Sequence, residues 1–326
     1  MNRGLAAALA LLGAAAMCAA GVRLGAAGAV KARAQEMADA NGPFVETKIN
    51  TAGWADSPFV SRDGQRLYFM YSRWNFFPLF LGGSPELRGP DRPGLHKDTL
   101  NPFDESDIYV ATRRADGRWG TPVNMSLNGP GGDASGMEYL NGDGFVWIKP
   151  TAPSGMPDIY VSTRDAQGRW GTPVNLGPTI NTSALEDNPH LSPDGVGLWF
   201  TSDRAGGLGG KDLWFSSATA GLWGAPVNMG PPINTAADED QIWISPVTSD
   251  IYFTRNNQIY VSTFTGTGHA APVWLDLGLP FAAEPSVTDD GQELYFAASD
   301  TTTQRIRIMR SASLGGGAWG PPVPVD

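Results

Sequence analysis

Acidic residues recur along the chain just before the first apolar segment of most repeats. The set comprises Asp56, Glu186, Asp187, Glu239, Asp240 and Glu284, with Glu284 one position out of register with the others. Carboxylates gathered at one place could bind Ca²⁺, which takes about six to eight oxygen ligands. They could instead supply the acid and the nucleophile of a glycoside hydrolase. Either chemistry requires a fold that brings these segments together.

Arginines offer a structural interpretation of the same acids. They follow the second strand of several repeats, which suggests the pairs Asp56 with Arg73, Asp187 with Arg204 and Asp240 with Arg255. The second repeat has Ser135 and Gly136 at the acidic positions and lacks the arginine. Because an unpartnered buried charge is costly, acids and bases that occur together favour ion pairs that brace each repeat.

A long aromatic loop is the second candidate site. It runs from Trp74 to Ser106, where the third repeat uses only Ala205 to Lys211. Loops of this length in compact domains are usually functional or disordered, and the aromatic content favours an ordered recognition surface. The alternative is that the aromatic rings seal an open edge of the fold. The candidate binding residues are Trp74, Phe76, Phe77, Phe80, Arg88, Arg92 and His96.

The elements that must position these residues come from an internal repeat. A Trp-Gly-x-Pro-Val motif begins at Trp119, Trp170, Trp223 and Trp319, with a degraded copy at Ala270. The best-formed unit, 186–235, reads as four short strands separated by turns. Four antiparallel strands per unit of about fifty residues are typical of a β-propeller blade. The sequence therefore predicts an all-β, five-bladed propeller of four-stranded antiparallel blades over 44–326, in which the tryptophans pack between blades.

These units resemble the WD40-like (PD40) repeats of TolB-type propellers. The resemblance rests on Leu191-Ser-Pro-Asp-Gly, Leu198-Trp-Phe-Thr-Ser-Asp-Arg, Gly206-Gly-Leu-Gly-Gly-Lys-Asp-Leu-Trp and Trp170-Gly-Thr-Pro-Val-Asn-Leu. It implies a periplasmic or envelope binding module, since similar proteins are mostly of that kind. Some are fused to peptidoglycan-binding domains, and others gate peptidases. The N-terminal Phe44-Val-Glu-Thr-Lys-Ile-Asn-Thr matches a segment of later units and is predicted to enter the ring beside the C-terminal strand.

The first 34 residues have the layout of a bacterial export signal. Arg3 precedes an uncharged, alanine-rich run, and cleavage is expected before Gln35, with an uncleaved anchor as the alternative. A short linker, 35–43, would follow. Without the signal, 19 basic and 33 acidic residues remain and no cysteine, because Cys18 lies inside the signal. Such an acidic surface disfavours nucleic acid as a partner.

The sequence thus predicts an exported, monomeric, non-catalytic binding or scaffolding module that recognises an envelope protein or polysaccharide through the 74–106 loop. The membrane would be contacted only through an uncleaved signal. No cofactor and no metal centre is predicted, with Ca²⁺ at the mouth of the channel as an open alternative. The rival function is a glycoside hydrolase that uses the acids at the mouth of the channel.

Overall fold

Short strands alternate with tight turns along the whole computed structural model, which describes residues 48–97, 101–150, 156–300 and 304–325. A typical turn is Ser192-Pro-Asp-Gly, where the Ser192 hydroxyl donates to Asp194 at 2.6 Å and Gly195 adopts a φ of 75°. Because glycine lacks Cβ, it takes this left-handed conformation at little cost. Each turn therefore ends one strand and reverses the chain into the next. The export signal and linker predicted from the sequence lie outside the described residues.

The strands form five antiparallel sheets in which spatial order follows chain order. The inner strands are Trp54–Val60, Ala134–Tyr139, Glu186–Leu191, Glu239–Ile244 and Ala282–Val287. The second strands are Arg66–Ser72, Gly144–Pro150, Gly197–Ser202, Ile251–Arg255 and Glu293–Asp300. Neighbouring inner strands contact one another in cyclic order, from blade 1 to blade 5 and back to blade 1. The predicted five-bladed propeller is thereby confirmed.

The outer half of each blade consists of a third strand and a two-residue edge strand. The third strands are Asp107–Thr112, Pro157–Thr163, Asp212–Thr219, Gln258–Ser262 and Arg305–Gly315. The outer strands are Val123–Asn124, Val174–Asn175, Val227–Asn228, Val273–Trp274 and Val323–Pro324. Leu222–Trp223 and Ala318–Trp319 pair with the ends of the third strands in blades 3 and 5. Such short edges, several of them preceded by proline, limit pairing with other chains.

Helical structure among the described residues is confined to short 3₁₀ turns. These are Phe77–Leu81, Pro102–Asp104 and Leu140–Gly142. None of the described segments forms a helix that is long and apolar enough to span a bilayer.

Burial between blades stabilises the ring. Trp119 of blade 1 is 3% exposed and meets Tyr295 of blade 5 edge-on, with 6.0 Å between ring centroids. Arg113 donates to the Tyr295 hydroxyl at 2.8 Å across the same boundary. Trp119 thus has the inter-blade packing role predicted for the tryptophans of the repeat.

The N-terminal connector closes the ring on blade 5. The Asn50 amide donates to the carbonyls of Ile308 and Val325 at 2.9 and 3.1 Å, and its oxygen accepts from the Ile308 N–H at 2.7 Å. The same two hydrogen bonds, between an asparagine side chain and the N–H and carbonyl of one third-strand residue, recur within the chain. They join Asn128 to Ile108, Asn181 to Ile159 and Asn234 to Leu213. The described part of the N-terminal segment therefore occupies the connector position that follows an outer strand.

Candidate functional site

Every inner strand breaks its pairing register at the end where the acids lie. The residues at these five bulges all have positive φ: Ser57 (50°), Ser135 (50°), Asn188 (47°), Gln241 (38°) and Glu284 (63°). This conformation is unusual for residues other than glycine and costs roughly 1 kcal/mol or more at each position. The surrounding hydrogen bonds must therefore hold each bulge in place.

The carboxylates at the mouth of the channel supply part of that support. Asp187 Oδ1 accepts from the Asn188 N–H at 2.7 Å, and Asp240 Oδ1 accepts from the Gln241 N–H at 2.8 Å. Glu284 reaches across a blade boundary, where its Oε2 accepts from the Ser57 N–H at 2.5 Å. These three acids thus satisfy backbone donors that the bulges remove from the sheet.

Further side-chain bonds link the bulges around the channel. Ser135 of blade 2 donates to Asn188 Oδ1 of blade 3 at 2.7 Å. The Asn188 amide donates to Asp240 Oδ1 of blade 4 at 2.7 Å, and the Glu284 N–H of blade 5 donates to Thr254 Oγ1 of blade 4 at 3.0 Å. The level of the bulges is therefore a polar belt that joins adjacent blades.

The predicted partners of the arginines are wrong. Arg204 binds Glu186 at 2.9 Å, Arg255 binds Glu239 at 2.7 Å and Arg73 binds Glu105 at 2.6 Å. Neighbouring residues of a strand point to opposite faces, so the arginine that reaches Glu186 or Glu239 cannot also reach the following aspartate. Bracing ion pairs exist, but none of the arginines in the described part of the chain binds Asp56 or Asp187.

The acidic position predicted for blade 2 is also wrong. Asp133, and not Ser135 or Gly136, is the equivalent of Glu186, because it accepts from the N–H four residues earlier, that of Gly129, at 2.8 Å. Glu186 accepts from the N–H of Thr182 in the same way at 2.6 Å. Asp133 also accepts from the Trp147 indole at 2.7 Å, and burial raises its pKa to about 6.

Burial dominates the electrostatics of the mouth. Asp56, Asp187 and Glu284 are at most 2% exposed. Burial raises the pKa of Asp56 and of Asp187 to about 7 and raises the pKa of Glu284 further from its usual range. Lys211, a buried cation that sequence reasoning missed, binds Asp240 Oδ2 at 2.8 Å. The equivalent position is occupied by Ser106 in blade 1 and by Asn257 in blade 4, so the repeat pattern did not indicate a cation there.

The central cavity beneath the bulges is small. Its lining includes Ser57, Ser135, Asn188 and Gln241, and the space open to water-sized molecules is about 30 Å³. His190 also lines it, and burial lowers the pKa of this imidazole to about 3. Pockets that take small organic ligands usually enclose about 300–1,000 Å³. This cavity has room for water or an ion and is too small for a sugar ring.

The loop from 74 to 106, here called the lid, packs against blade 1, with residues 98–100 outside the described part. Phe76 meets Trp54 edge-on with 5.7 Å between centroids and stacks on Phe103 at 5.1 Å. Phe80 lies over the same indole at 6.4 Å, and the Asn75 amide donates to the Gln304 carbonyl of blade 5 at 2.9 Å. Trp74–Asn75 pairs with Glu86–Leu87 within the lid. The lid is therefore an ordered cover that spans two blades.

The structure separates the predicted lid residues by exposure. Phe76 and Phe77 are buried, and Trp74 and Phe80 are half-buried. His96 binds Asp107 at 3.0 Å, and Arg88 forms an exposed ion pair with Glu86. The recognition role of these residues stays a prediction, and burial removes Phe76 and Phe77 from the surface that a partner could touch.

Arg92 is tied to the N-terminal connector. It is 9% exposed, and its Nη2 donates to the carbonyls of Lys48 and Ile49 at 2.8 and 2.9 Å. Its guanidinium lies 4.1 Å from the centroid of the Tyr71 ring. In blades 3 and 4, Arg204 and Arg255 bind the corresponding isoleucine carbonyls. The lid thus supplies the arginine that the first connector needs.

A scan against protein-family models finds no match, and neither does a search of curated proteins. Solved structures similar to this fold include TolB from Acinetobacter baumannii, at 12% identity and a TM-score of 0.47, covering 89% of this chain and 71% of that one. Hydrazine synthase of Kuenenia stuttgartiensis matches at 13% and 0.47, covering 83% of this chain and 38% of that one. A puromycin-hydrolyzing peptidase of Mycobacterium tuberculosis matches at 13% and 0.41, covering 85% and 38%. TolB stands among these likenesses, whereas no family model supports the resemblance to WD40-like repeats.

Proposed function

We propose that this protein is an exported, non-catalytic binding module that recognises an envelope protein or polysaccharide through its lid. The observation that carries the proposal is the lid itself. It inserts about thirty residues into blade 1 and packs as an ordered cover across blades 1 and 5. Ordering a long polar and aromatic segment costs conformational entropy. Long ordered loops in compact domains are usually functional, so this cost favours a binding role for the lid.

The exposed part of the lid has the chemistry of a recognition surface. Leu81 and Leu87 are 61% and 53% exposed, and the Arg88 side chain lies beside them in sequence with 36% of its area exposed. Phe80, the residue before Leu81, is half-buried. Arginine is enriched among the residues that dominate binding at protein interfaces, and exposed apolar patches often mark interaction sites. The lid can therefore offer exposed apolar side chains beside the Arg88–Glu86 ion pair.

Substitutions on the exposed surface test this better than removal of the lid, because Phe76 and Phe77 belong to the core. We would immobilise the chain and measure retention of proteins and of soluble polysaccharides from a bacterial envelope extract. The triple variant Leu81→Ser, Leu87→Ser, Arg88→Ala should lose at least tenfold in retention of the specific ligand. A matched variant carries Val123→Ser and Val174→Ser on the outer strands, where the valines are 64% and 59% exposed. Equal retention by both variants would refute the proposal.

A glycoside hydrolase is the second candidate, because Asp56, Asp187 and Glu284 form no ion pair with an arginine among the described residues. A carboxyl group whose pKa is about 7 can act as a general acid at neutral pH. The test is release of reducing ends from envelope and plant polysaccharides by the wild type and by Asp187→Asn. We expect no release from either. Hydrolysis by the wild type that Asp187→Asn abolishes would replace the binding module with an enzyme.

A further inference from the structure

The face of the ring opposite the lid, here called the lower face, carries the hairpins that join the third strands to the outer strands. The four strands of each blade are antiparallel and follow chain order, and the lid joins a second strand to a third. The hairpins and the turns between the first two strands therefore lie at the other end of each blade. The five hairpins span 113–119, 164–170, 218–223, 263–270 and 312–319.

The chemistry of these hairpins divides the ring into two sectors. Those of blades 1 and 2 contain five arginines and two aspartates, whereas those of blades 3, 4 and 5 contain no Asp, Glu, Lys or Arg. Leu222 of blade 3 immediately precedes its tryptophan, at the place that Arg118 and Arg169 occupy in blades 1 and 2. Leu222, Leu314 and Phe264 are 76%, 69% and 42% exposed. The lower face thus has an apolar sector beside a basic one.

Folding does not account for the apolar sector. Leu222 follows Gly221, and Leu314 precedes the glycines 315–317, all of which have positive φ. Glycine permits these tight turns, so each leucine is held at the tip of its hairpin. A polar residue would serve such a tip equally well, and apolar patches exposed on soluble proteins often mark contacts with proteins or membranes.

The basic sector is not neutralised by its own acids. Both aspartates of these hairpins are already paired with an arginine of the same hairpin: Arg114 with Asp116 at 3.0 Å and Arg169 with Asp165 at 2.8 Å. Arg118 and Arg164 form no ion pair with an acid among the described residues. Arg164 lies 4.0 Å from the Trp170 ring centroid and donates to backbone carbonyls only. The two hairpins therefore carry an excess of positive charge.

Acids also occur on the lower face, but they belong to its inner ring. Asp63, Asp194 and Asp290, for example, lie in the turns between first and second strands, where each accepts a hydrogen bond from a hydroxyl of its own turn. The first two strands form the inner half of a blade and the hairpins belong to its outer half. The outer rim of blades 1 and 2 is therefore a basic region on a molecule of net charge −10.

We propose that the lower face docks on an anionic phospholipid surface, with its apolar sector inserted among the headgroups and its basic sector against the phosphates. Leu222, Phe264 and Leu314 would enter the lipid, and Arg118 and the arginines beside it would bind phosphate oxygens. Buried apolar area and attraction between basic side chains and anionic lipids together set the strength of binding at a bilayer surface. The acidic remainder of the molecule is repelled by such a surface, so the two sectors also orient the ring.

Other occupants fit these sectors less well. The apolar side chains stand on three separate hairpins, so a rigid protein partner would need three matching recesses, whereas lipids rearrange around each projection. A second copy docked with apolar sector on apolar sector would also bring the two basic sectors together, where like charges repel. The sequence alone predicted membrane contact only through an uncleaved signal, and the lower face adds a contact that does not depend on it.

Vesicle flotation tests the proposal. A chain that begins at Gln35 keeps every residue that the structure describes and lacks the apolar run of the predicted signal, which can itself insert into lipid. It would be mixed with vesicles of phosphatidylethanolamine and phosphatidylglycerol, or of phosphatidylcholine alone. Affinity should be about tenfold higher for the anionic vesicles and should fall as salt screens the arginines. A wild type that floats with neither kind of vesicle would overturn the proposal and leave the lower face to a protein partner.

Substitutions in the apolar sector locate the contact. Leu222→Ser combined with Leu314→Ser should lower affinity for the anionic vesicles by about tenfold or more, because two leucines no longer enter the lipid. Val123→Ser combined with Val174→Ser changes similarly exposed side chains on the outer strands and should leave affinity unchanged. The Tm of both variants should match that of the wild type, since the substituted side chains are exposed. Equal affinities for the two variants would refute the proposal.

Substitutions in the basic sector and in the lid complete the test. Arg118→Gln combined with Arg169→Gln should remove most of the preference for anionic over phosphatidylcholine vesicles. The lid variant Leu81→Ser, Leu87→Ser, Arg88→Ala should bind vesicles as the wild type does, because the lid lies on the opposite face. Recognition of a ligand by the lid and docking of the lower face can therefore fail separately. Loss of vesicle binding in the lid variant, with binding kept in the hairpin variants, would assign the lipid contact to the lid and overturn the proposal.

Discussion

At the scale of single residues, the acids of the channel act first on the backbone. Asp187 and Asp240 each accept the N–H of the residue that follows, and that residue is the one forced into positive φ. Their recurrence could be predicted from the sequence, but their orientation could not. A bulge shifts which side chain faces the channel, and sequence spacing does not reveal where the bulge lies. For the same reason, Glu186 and Glu239 could not be identified as the partners of the arginines.

We predict that folding stability falls as pH rises from 5 to 7. Asp56, Asp187 and Glu284 hold protons in the folded state that the unfolded chain releases near pH 4. A raised pKa stabilises fully below the unfolded value and loses that contribution as pH rises through the folded value. His190 acts in the opposite direction, because the lowered pKa of its imidazole keeps it neutral while the unfolded chain takes up a proton below about pH 6.5. Three acids less one histidine leave a net difference of about two protons, so the slope is negative, on the order of 2–3 kcal/mol per pH unit.

Melting curves at pH 5.5 and 7.5 measure this slope. Asp187→Asn should flatten it and raise the Tm at pH 7.5, because a neutral amide replaces a buried group that must otherwise titrate. Asp165→Asn is the control, since its exposed carboxyl has a lowered pKa and titrates below this range. A Tm that increases steadily from pH 5.5 to 7.5 would contradict the account of the buried acids.

At the scale of elements, the lid combines both roles that its sequence allowed. Its length predicted an ordered surface, and its aromatic residues admitted a sealing role. Phe76 and Phe77 do seal, whereas Leu81 and Leu87 remain exposed. The sequence alone could not distinguish the buried from the exposed residues of the lid, because burial of a ring in an irregular loop depends on the surface beneath it. Here that surface is the Trp54 indole at the start of the inner strand of blade 1.

Arg92→Ala should loosen the N-terminal connector. The change removes two hydrogen bonds to the carbonyls of Lys48 and Ile49 and the contact with the Tyr71 ring. Buried bonds from a charged donor contribute more than neutral ones, so we expect a loss of about 2–3 kcal/mol in unfolding free energy. Hydrogen exchange at 48–53 should accelerate. Arg88→Ala, which breaks an exposed ion pair on the same lid, should change stability by less than about 1 kcal/mol. Similar exchange rates in the two variants would contradict the role of Arg92 in holding the N-terminal connector.

At the scale of the whole molecule, the repeat predicted the ring because each blade is encoded locally. Strand alternation, the Asp-Gly turns and the Trp-Gly-x-Pro-Val motif recur in nearly every unit, so the number of blades follows from counting. Closure was predicted only as a possible match between residues 44–51 and the later connectors. Which contacts close the ring depends on two ends of the chain that are 258 residues apart at Asn50 and Ile308. Local patterns carry no information about that pairing.

A comparison of Asn50→Ala with Asn128→Ala tests whether ring closure depends on the hydrogen bonds of the Asn50 side chain. Both substitutions remove the partner of a buried third-strand N–H, that of Ile308 or that of Ile108, and should each cost about 1–3 kcal/mol. The carbonyls of these two residues keep the bonds from the Val325 and the Met125 N–H. The consequences differ because the connector of Asn128 joins blade 1 to blade 2, whereas the described part of the Asn50 connector precedes blade 1, the first blade of the ring. In native buffer, limited proteolysis should therefore trim Asn50→Ala up to the start of the inner strand at Trp54 and leave Asn128→Ala intact. If both variants resist the protease equally, the remaining contacts between blades 1 and 5, such as Arg62 with Asp289 at 2.6 Å, suffice to hold the connector.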